Sequence, residues 1–108
     1  MEFYILEGKK PKQVESLIEW SEWYSKSNHL VKRTELPDGV IISTIFLGQD
    51  TRISKAFPPI LFETMIQGGL HDMYVEKYST WEDAEKGHEK AIRIVFGVEE
   101  DEQSNNPH

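Results

Sequence analysis

Apolar and polar residues alternate along several short stretches of the chain, which is the period of half-buried β-strands. Turn residues separate some of these stretches, with Pro37-Asp38-Gly39 after the third and Gly68-Gly69 after the fifth. The alternation predicts six strands, at residues 3–6, 11–14, 29–36, 40–47, 60–66 and 73–78. The polar stretch between the fourth and fifth strands, residues 48–57, is predicted to be a loop.

Two other stretches repeat apolar residues every three to four positions, as amphipathic helices do. The first follows Ser16, whose spacing to Glu19 is typical of a capping box, and runs to about residue 26. The second follows Ser79 or Thr80 and ends at Gly97. Its predicted apolar face carries Trp81, Ala84, His88, Ala91, Ile92 and Val95.

The resulting order, β-β-α-β-β-β-β-α, predicts an α+β fold. Short turns between successive strands favour an antiparallel sheet, and two amphipathic helices would pack on one face of it. We expect a single domain over residues 1–97, followed by a disordered acidic tail over residues 98–108.

Composition excludes several classes of site. The chain of 108 residues contains no cysteine, so it has no disulfide, thiolate-bound metal or cysteine nucleophile. We expect no cofactor and no metal. A net charge of −7 disfavours nucleic acid and anionic membranes as partners. The chain opens without a signal peptide and has no apolar run of about 20 residues, so we expect a cytoplasmic protein.

Two ionisable residues interrupt apolar segments. Glu63 lies in a predicted strand on the same side as Leu61 and Met65. It is either a carboxylate with a raised pKa, suited to acid–base chemistry or ligand binding, or a charge on an exposed sheet face paired with Arg33 or Lys32. His88 lies on the apolar face of the second helix. It is either a general base or a core histidine held by hydrogen bonds.

The loop over residues 48–57 is the first place to look for a ligand. Asp50, Arg52 and Lys55 lie in it, and Arg33 and Glu63 are expected nearby. With His88, these five side chains form the predicted ligand-binding set. We assign no catalytic residue, because no nucleophile motif or metal-ligand spacing is present.

The chain resembles a family of short phage and prophage proteins. The segments that carry the resemblance are Tyr4 to Lys10, Glu19-Trp20, Glu22-Trp23, Arg33-Thr34-Glu35, Ser43-Thr44-Ile45-Phe46-Leu47-Gly48, Leu61-Phe62-Glu63-Thr64-Met65, Tyr78-Ser79-Thr80-Trp81 and Gly87-His88. In the loop the chain departs from this pattern. Similar sequences tend to read Leu-Asp-His followed by glycines, whereas this chain reads Gln49-Asp50-Thr51-Arg52-Ile53-Ser54. The resemblance implies a phage setting and assigns no mechanism.

Three hypotheses follow. The first is a non-enzymatic accessory protein that binds a host protein or a small nucleotide-like signalling ligand, with counter-defence as one such role. The second is a small enzyme that uses Glu63 and His88, which requires both side chains to converge in one pocket. The third is a structural or assembly protein that forms a homodimer through an uncovered sheet face or edge.

Overall fold

The computed structural model describes residues 2–101 and confirms both the α+β class and the order of elements. Its strands and helices are β1 (Phe3–Glu7), β2 (Lys10–Val14), α1 (Leu17–Lys26), β3 (Leu30–Glu35), β4 (Ile41–Phe46), β5 (Phe62–Gln67), β6 (Val75–Tyr78) and α2 (Trp81–Val95). The predicted helix starts are also confirmed. The Ser16 hydroxyl accepts the Glu19 N–H at 3.1 Å, and the Thr80 hydroxyl accepts the Asp83 N–H at 3.0 Å.

The strands form two antiparallel sheets, where the sequence predicted one. β1 and β2 make a separate hairpin, and the other four strands make a meander in the order β3-β4-β5-β6. Each helix packs on a different sheet. α1 packs on the β1–β2 hairpin, and α2 lies across all four strands of the larger sheet. The ring of Trp23 meets Phe46 edge to face at 5.8 Å between centroids, so it links α1 to the larger core.

Strict alternation in β4 and β5 separates the two faces of the larger sheet. One face is buried under α2 and carries Ile42, Thr44, Phe46, Phe62, Thr64 and Ile66. From α2, this core receives Ala84, Gly87, His88, Ala91 and Ile94. The opposite face, called here the open face, carries the half-buried side chains of Ile41, Ile45, Met65 and Val75. Within residues 2–101, neither helix packs on it.

Gly87 lets α2 approach the last strand closely. A Cβ added there would lie 1.9 Å from the hydroxyl oxygen of Tyr78 and 2.0 Å from the ring carbon that carries it. The tyrosine ring therefore occupies the space that any larger residue at this position would need. This close approach accounts for a glycine in the middle of a helix, where glycine is otherwise unfavourable.

The segment after α2 begins differently from the predicted disordered tail. Asp101 is 7% exposed, and its carboxylate pairs with Nδ1 of His71 at 2.7 Å. Arg93 also reaches this segment, through Glu99 at 2.9 Å. The rest of the predicted tail, residues 102–108, lies outside the described residues.

Candidate functional site

His88 is fully buried, and threonine hydroxyls contact both of its ring nitrogens. Nδ1 lies 2.7 Å from Oγ1 of Thr44, and Nε2 lies 2.9 Å from Oγ1 of Thr34. Thr44 continues the chain of contacts to Thr64, at 2.6 Å. Burial, reinforced by the positive charge of Lys32, lowers the pKa of His88. His88 is therefore a core histidine that connects α2 to β3 and β4.

The structure contradicts the hypothesis that Glu63 and His88 share a catalytic pocket. Thr64 points toward α2 and contacts the His88 network through Thr44, so its neighbour Glu63 points to the open face. Glu63 lies beside Lys77 in the register of β5 and β6. The four-stranded sheet separates the two side chains.

The expected partners of Glu63 are engaged elsewhere. Arg33, another predicted ligand residue, pairs with Glu35 at 3.3 Å, and both side chains are about half exposed. Lys32 pairs instead with Glu89 of α2, at 2.7 Å. The predicted ligand-binding set therefore does not form one site.

The loop residues Asp50 and Arg52 bind each other. The Asp50 carboxylate accepts the backbone N–H groups of Arg52 and Ile60, at 2.9 and 3.0 Å, and contacts Nε of Arg52 at 2.6 Å. Burial alone would raise the pKa of Asp50, but these N–H groups and the guanidinium outweigh it, and the pKa is lowered. Arg52 also pairs with Glu2 at 3.1 Å.

The loop has little unpaired positive charge that could bind an anionic ligand. Two carboxylates surround the Arg52 guanidinium, whose third contact is the carbonyl of Phe57 at 2.8 Å. Lys55 reaches the same Glu2 at 3.2 Å. Because the cations are already paired, these contacts are best explained as holding the loop against the N-terminal strand.

Replacing Arg52 by methionine should destabilise the protein. Methionine keeps the apolar part of the side chain but leaves the Asp50 carboxylate, 6% exposed, without its cation. Hydrogen bonds to charged groups contribute roughly 1.5–3 kcal/mol, and we expect a loss of that order in urea unfolding at pH 7. Lys55→Met is the control, because that side chain is 81% exposed and should change stability little. Equal losses in the two variants would contradict a structural role for Arg52.

A groove lies between α2 and β6. Its volume is ≈ 640 Å³, within the range of roughly 300–1,000 Å³ usual for ligand sites. Its lining residues are Pro58, Ile60, Glu76, Lys77, Tyr78, Ser79, Thr80, Asp83, Lys86, Gly87, Lys90 and Arg93. The Tyr78 ring lies directly against Gly87, and burial raises its pKa to about 12, so the hydroxyl stays protonated at neutral pH.

The groove is basic although the chain is acidic. The lining includes four basic and two acidic residues, but Lys77 lies opposite Glu63 in the sheet, so its side chain points to the open face. The three basic side chains of α2 and the two acidic ones give a charge of +1 against −7 for the whole chain. Two of the cations have partners: Lys90 lies 3.6 Å from Glu76, and Arg93 pairs with Glu99. Within the part of the chain that the structure describes, Lys86 forms no ion pair.

Sequence reasoning missed this groove. The amphipathic pattern identifies the apolar face of the second helix but does not by itself divide its polar face. The acidic residues Glu82, Glu85 and Glu89 in fact follow one stripe, at i, i+3 and i+7. The basic residues Lys86, Lys90 and Arg93 follow another, at i, i+4 and i+7. This separation of charge along the helix is the sequence signal that predicts a basic side for the groove.

Among residues 2–101, no group of three or more His, Asp or Glu side chains is placed to hold a metal ion. None of the described helices has the length and apolar character needed to cross a bilayer. Comparison of the chain with protein-family models, curated proteins and solved structures finds no match. The geometry of the groove is therefore the basis for assigning a function.

Proposed function

We propose that this protein is a non-enzymatic binding protein that takes an anionic ligand into the α2–β6 groove. The observation that carries the proposal is the stripe of three basic side chains, Lys86, Lys90 and Arg93, along one concave surface of an acidic chain. A cleft with an excess of charge of one sign attracts ligands of the opposite sign and raises their rate of association. Either a host protein with an acidic segment or a nucleotide-like signalling ligand has the required charge.

The proposal includes a biological setting. The resemblance to short phage proteins supports a phage-derived accessory protein that acts in the host cytoplasm. A small protein that captures an anionic segment or a signalling nucleotide would suit counter-defence. The separation of Glu63 from His88 supports binding over catalysis, because the pair considered for acid–base chemistry does not converge.

Reversing one groove charge should weaken binding strongly. We expect Lys86→Glu to reduce the affinity for an anionic probe about tenfold, equivalent to roughly 1.4 kcal/mol. Isothermal titration calorimetry at low salt, with a short glutamate-rich peptide and a nucleoside triphosphate as the two probes, measures this change. Added salt should weaken whichever probe binds, because screening acts on exposed charges.

Lys26→Glu is the matched control, since it makes the same charge change at the end of α1, away from the groove. It should leave the affinity within about twofold, because charges separated by more than a Debye length are largely screened. Equal weakening by both variants would show that only net charge matters. Absence of binding by both probes would also contradict the proposal.

A second candidate function is assembly of a homodimer through the open face. Ile41, Ile45, Met65 and Val75 give this face an apolar centre. Its size argues for a weaker interface than usual. Four strands spaced about 4.8 Å apart and about six residues long cover roughly 400 Å², whereas a stable interface buries about 800 Å² per partner. Light scattering that gives a dimer mass at micromolar concentration would favour assembly over the groove.

A further inference from the structure

We propose that the tip of the loop between β4 and β5, residues 53–57, is an anchor that inserts into an apolar pocket of a partner protein. This loop tip is separate from the groove, whose lining does not include its residues. It carries two large apolar side chains that are exposed, Ile53 at 103% and Phe57 at 65%. At that exposure the isoleucine side chain stands clear of the domain surface.

The loop tip is apolar as a whole. All five of its residues are exposed, and three of them are apolar: Ile53, Ala56 and Phe57. Single exposed apolar residues are ordinary on protein surfaces. A group of them that includes an aromatic ring is typical of an interaction site, and aromatic side chains often supply much of the binding energy.

The backbone of Phe57 is held in place from both sides. Its carbonyl accepts a hydrogen bond from the Arg52 guanidinium at 2.8 Å, and its N–H donates to the carbonyl of Ser54 at 3.2 Å. Arg52 is fixed in turn by Asp50 at 2.6 Å and by Glu2 at 3.1 Å. An anchor that is already ordered loses less conformational entropy when it binds.

The backbone around Phe57 needs no polar partner in the pocket. The N–H of Ala56 donates to the hydroxyl of Ser54 at 3.1 Å. The N–H of Ile60 donates to the Asp50 carboxylate at 3.0 Å. The two residues that precede Ile60 are prolines and have no N–H. Because burying an unpaired polar group is costly, these internal bonds suit the loop tip to a dry, apolar pocket.

The charges of the loop favour a protein pocket over a membrane surface. Arg52 and Lys55 contact Asp50 and Glu2, so these four charges sum to zero. The whole chain carries −7. Attraction to anionic lipid headgroups requires a cluster of unpaired basic residues beside the apolar anchor. A neutral, convex loop tip instead matches a neutral, concave apolar site.

The first experiment uses β-cyclodextrin, a sugar ring with an apolar cavity that admits a benzene ring, as a minimal pocket. In ¹⁵N–¹H NMR of the full chain, we expect it to shift the amides of residues 53–57 and Phe57→Ser to abolish those shifts. Phe96→Ser is the matched control, because that ring is 62% exposed, and it should leave them unchanged. Arg52→Met should weaken cyclodextrin binding about threefold, because the loop must then be ordered on binding.

The second experiment identifies the partner protein. The full chain, with the photoreactive residue p-benzoylphenylalanine at position 57 or at position 96, is irradiated in host cells. We expect one protein to be cross-linked from position 57 and not from position 96. Once purified, that protein should bind the unaltered chain and lose about tenfold or more in affinity with Phe57→Ser, as expected for a central aromatic anchor. Phe96→Ser should change its affinity by less than about twofold.

Several results would overturn the proposal. Equal effects of Phe57→Ser and Phe96→Ser on cyclodextrin binding, or no weakening by Arg52→Met, would contradict an ordered anchor. A cross-linked protein that binds Phe57→Ser as tightly as the unaltered chain would contradict the pocket. Binding to phosphatidylcholine vesicles that Phe57→Ser abolishes would assign the loop tip to a membrane instead. None of these results bears on the groove, whose ligand is tested separately by Lys86→Glu.

Discussion

Replacing Gly87 by alanine should destabilise the protein, although alanine is the better helix former. The new methyl group would overlap the Tyr78 ring, with 1.9 Å to its hydroxyl oxygen, so the ring or the helix must move. Overpacking a core costs about 1–3 kcal/mol, and the gain in helix propensity offsets roughly 1 kcal/mol. Since the overlap is severe, we expect a net loss approaching about 2 kcal/mol in urea unfolding, the upper end of the difference. Ligand binding should weaken as well, because Tyr78 lines the groove.

Two further variants test the cause of that loss. Glu85→Ala changes an exposed position of the same helix and should be neutral within about 0.5 kcal/mol. Combining Gly87→Ala with Tyr78→Ala should cost less than the sum of the two single changes, because the overlap is removed. Simple additivity would show that Gly87 and Tyr78 do not interact in this way.

Replacing His88 by alanine should have the largest effect on stability. The change removes a fully buried ring and leaves the hydroxyl of Thr34 without its imidazole partner. Large-to-small changes in a core cost about 2–5 kcal/mol. Thermal and urea unfolding at pH 7.5 measure this loss. A loss below about 1 kcal/mol would contradict a core role for His88.

The same histidine should make stability depend on pH. Burial lowers its pKa in the folded state below the ordinary value of 6.5. As the pH falls below about 6.5, the unfolded chain takes up the proton first, so folding becomes less favourable until the folded-state pKa is passed. His88→Ala should lack this component, so the difference in stability between the two proteins should shrink from pH 7.5 to 5. A constant difference would contradict a buried neutral imidazole.

Local sequence patterns were sufficient to predict most of the fold. The alternation in β4 and β5 needed no tertiary information, because strand geometry sends successive side chains to opposite faces. The caps at Ser16 and Thr80 were likewise local. The division into two sheets was not predictable in this way. It depends on which strands pair across α1, and the twenty or more residues from β1 to β3 leave that choice open.

The candidate site was less predictable, because charges are paired by residues distant in sequence. Glu2 partly neutralises the charge of Arg52, and no residue close to the loop in sequence indicates that this pair forms. Successive side chains of a strand alternate between two faces. This alternation could place Glu63 on the face opposite His88 only once the face covered by α2 was known. The basic stripe at Lys86, Lys90 and Arg93 was visible in the sequence. The groove itself forms only where α2 packs beside β6, and no local sequence pattern predicts that packing.

The most direct test of the groove is to map where an acidic ligand binds. Two-dimensional ¹⁵N–¹H NMR of the full chain, titrated with the short glutamate-rich peptide, reports on every backbone amide at once. We predict that the perturbed amides cluster at residues 76–79 and along residues 83–93, with small changes in the loop over residues 50–55. Perturbations centred on that loop or on the open face, with the groove unaffected, would contradict the assignment.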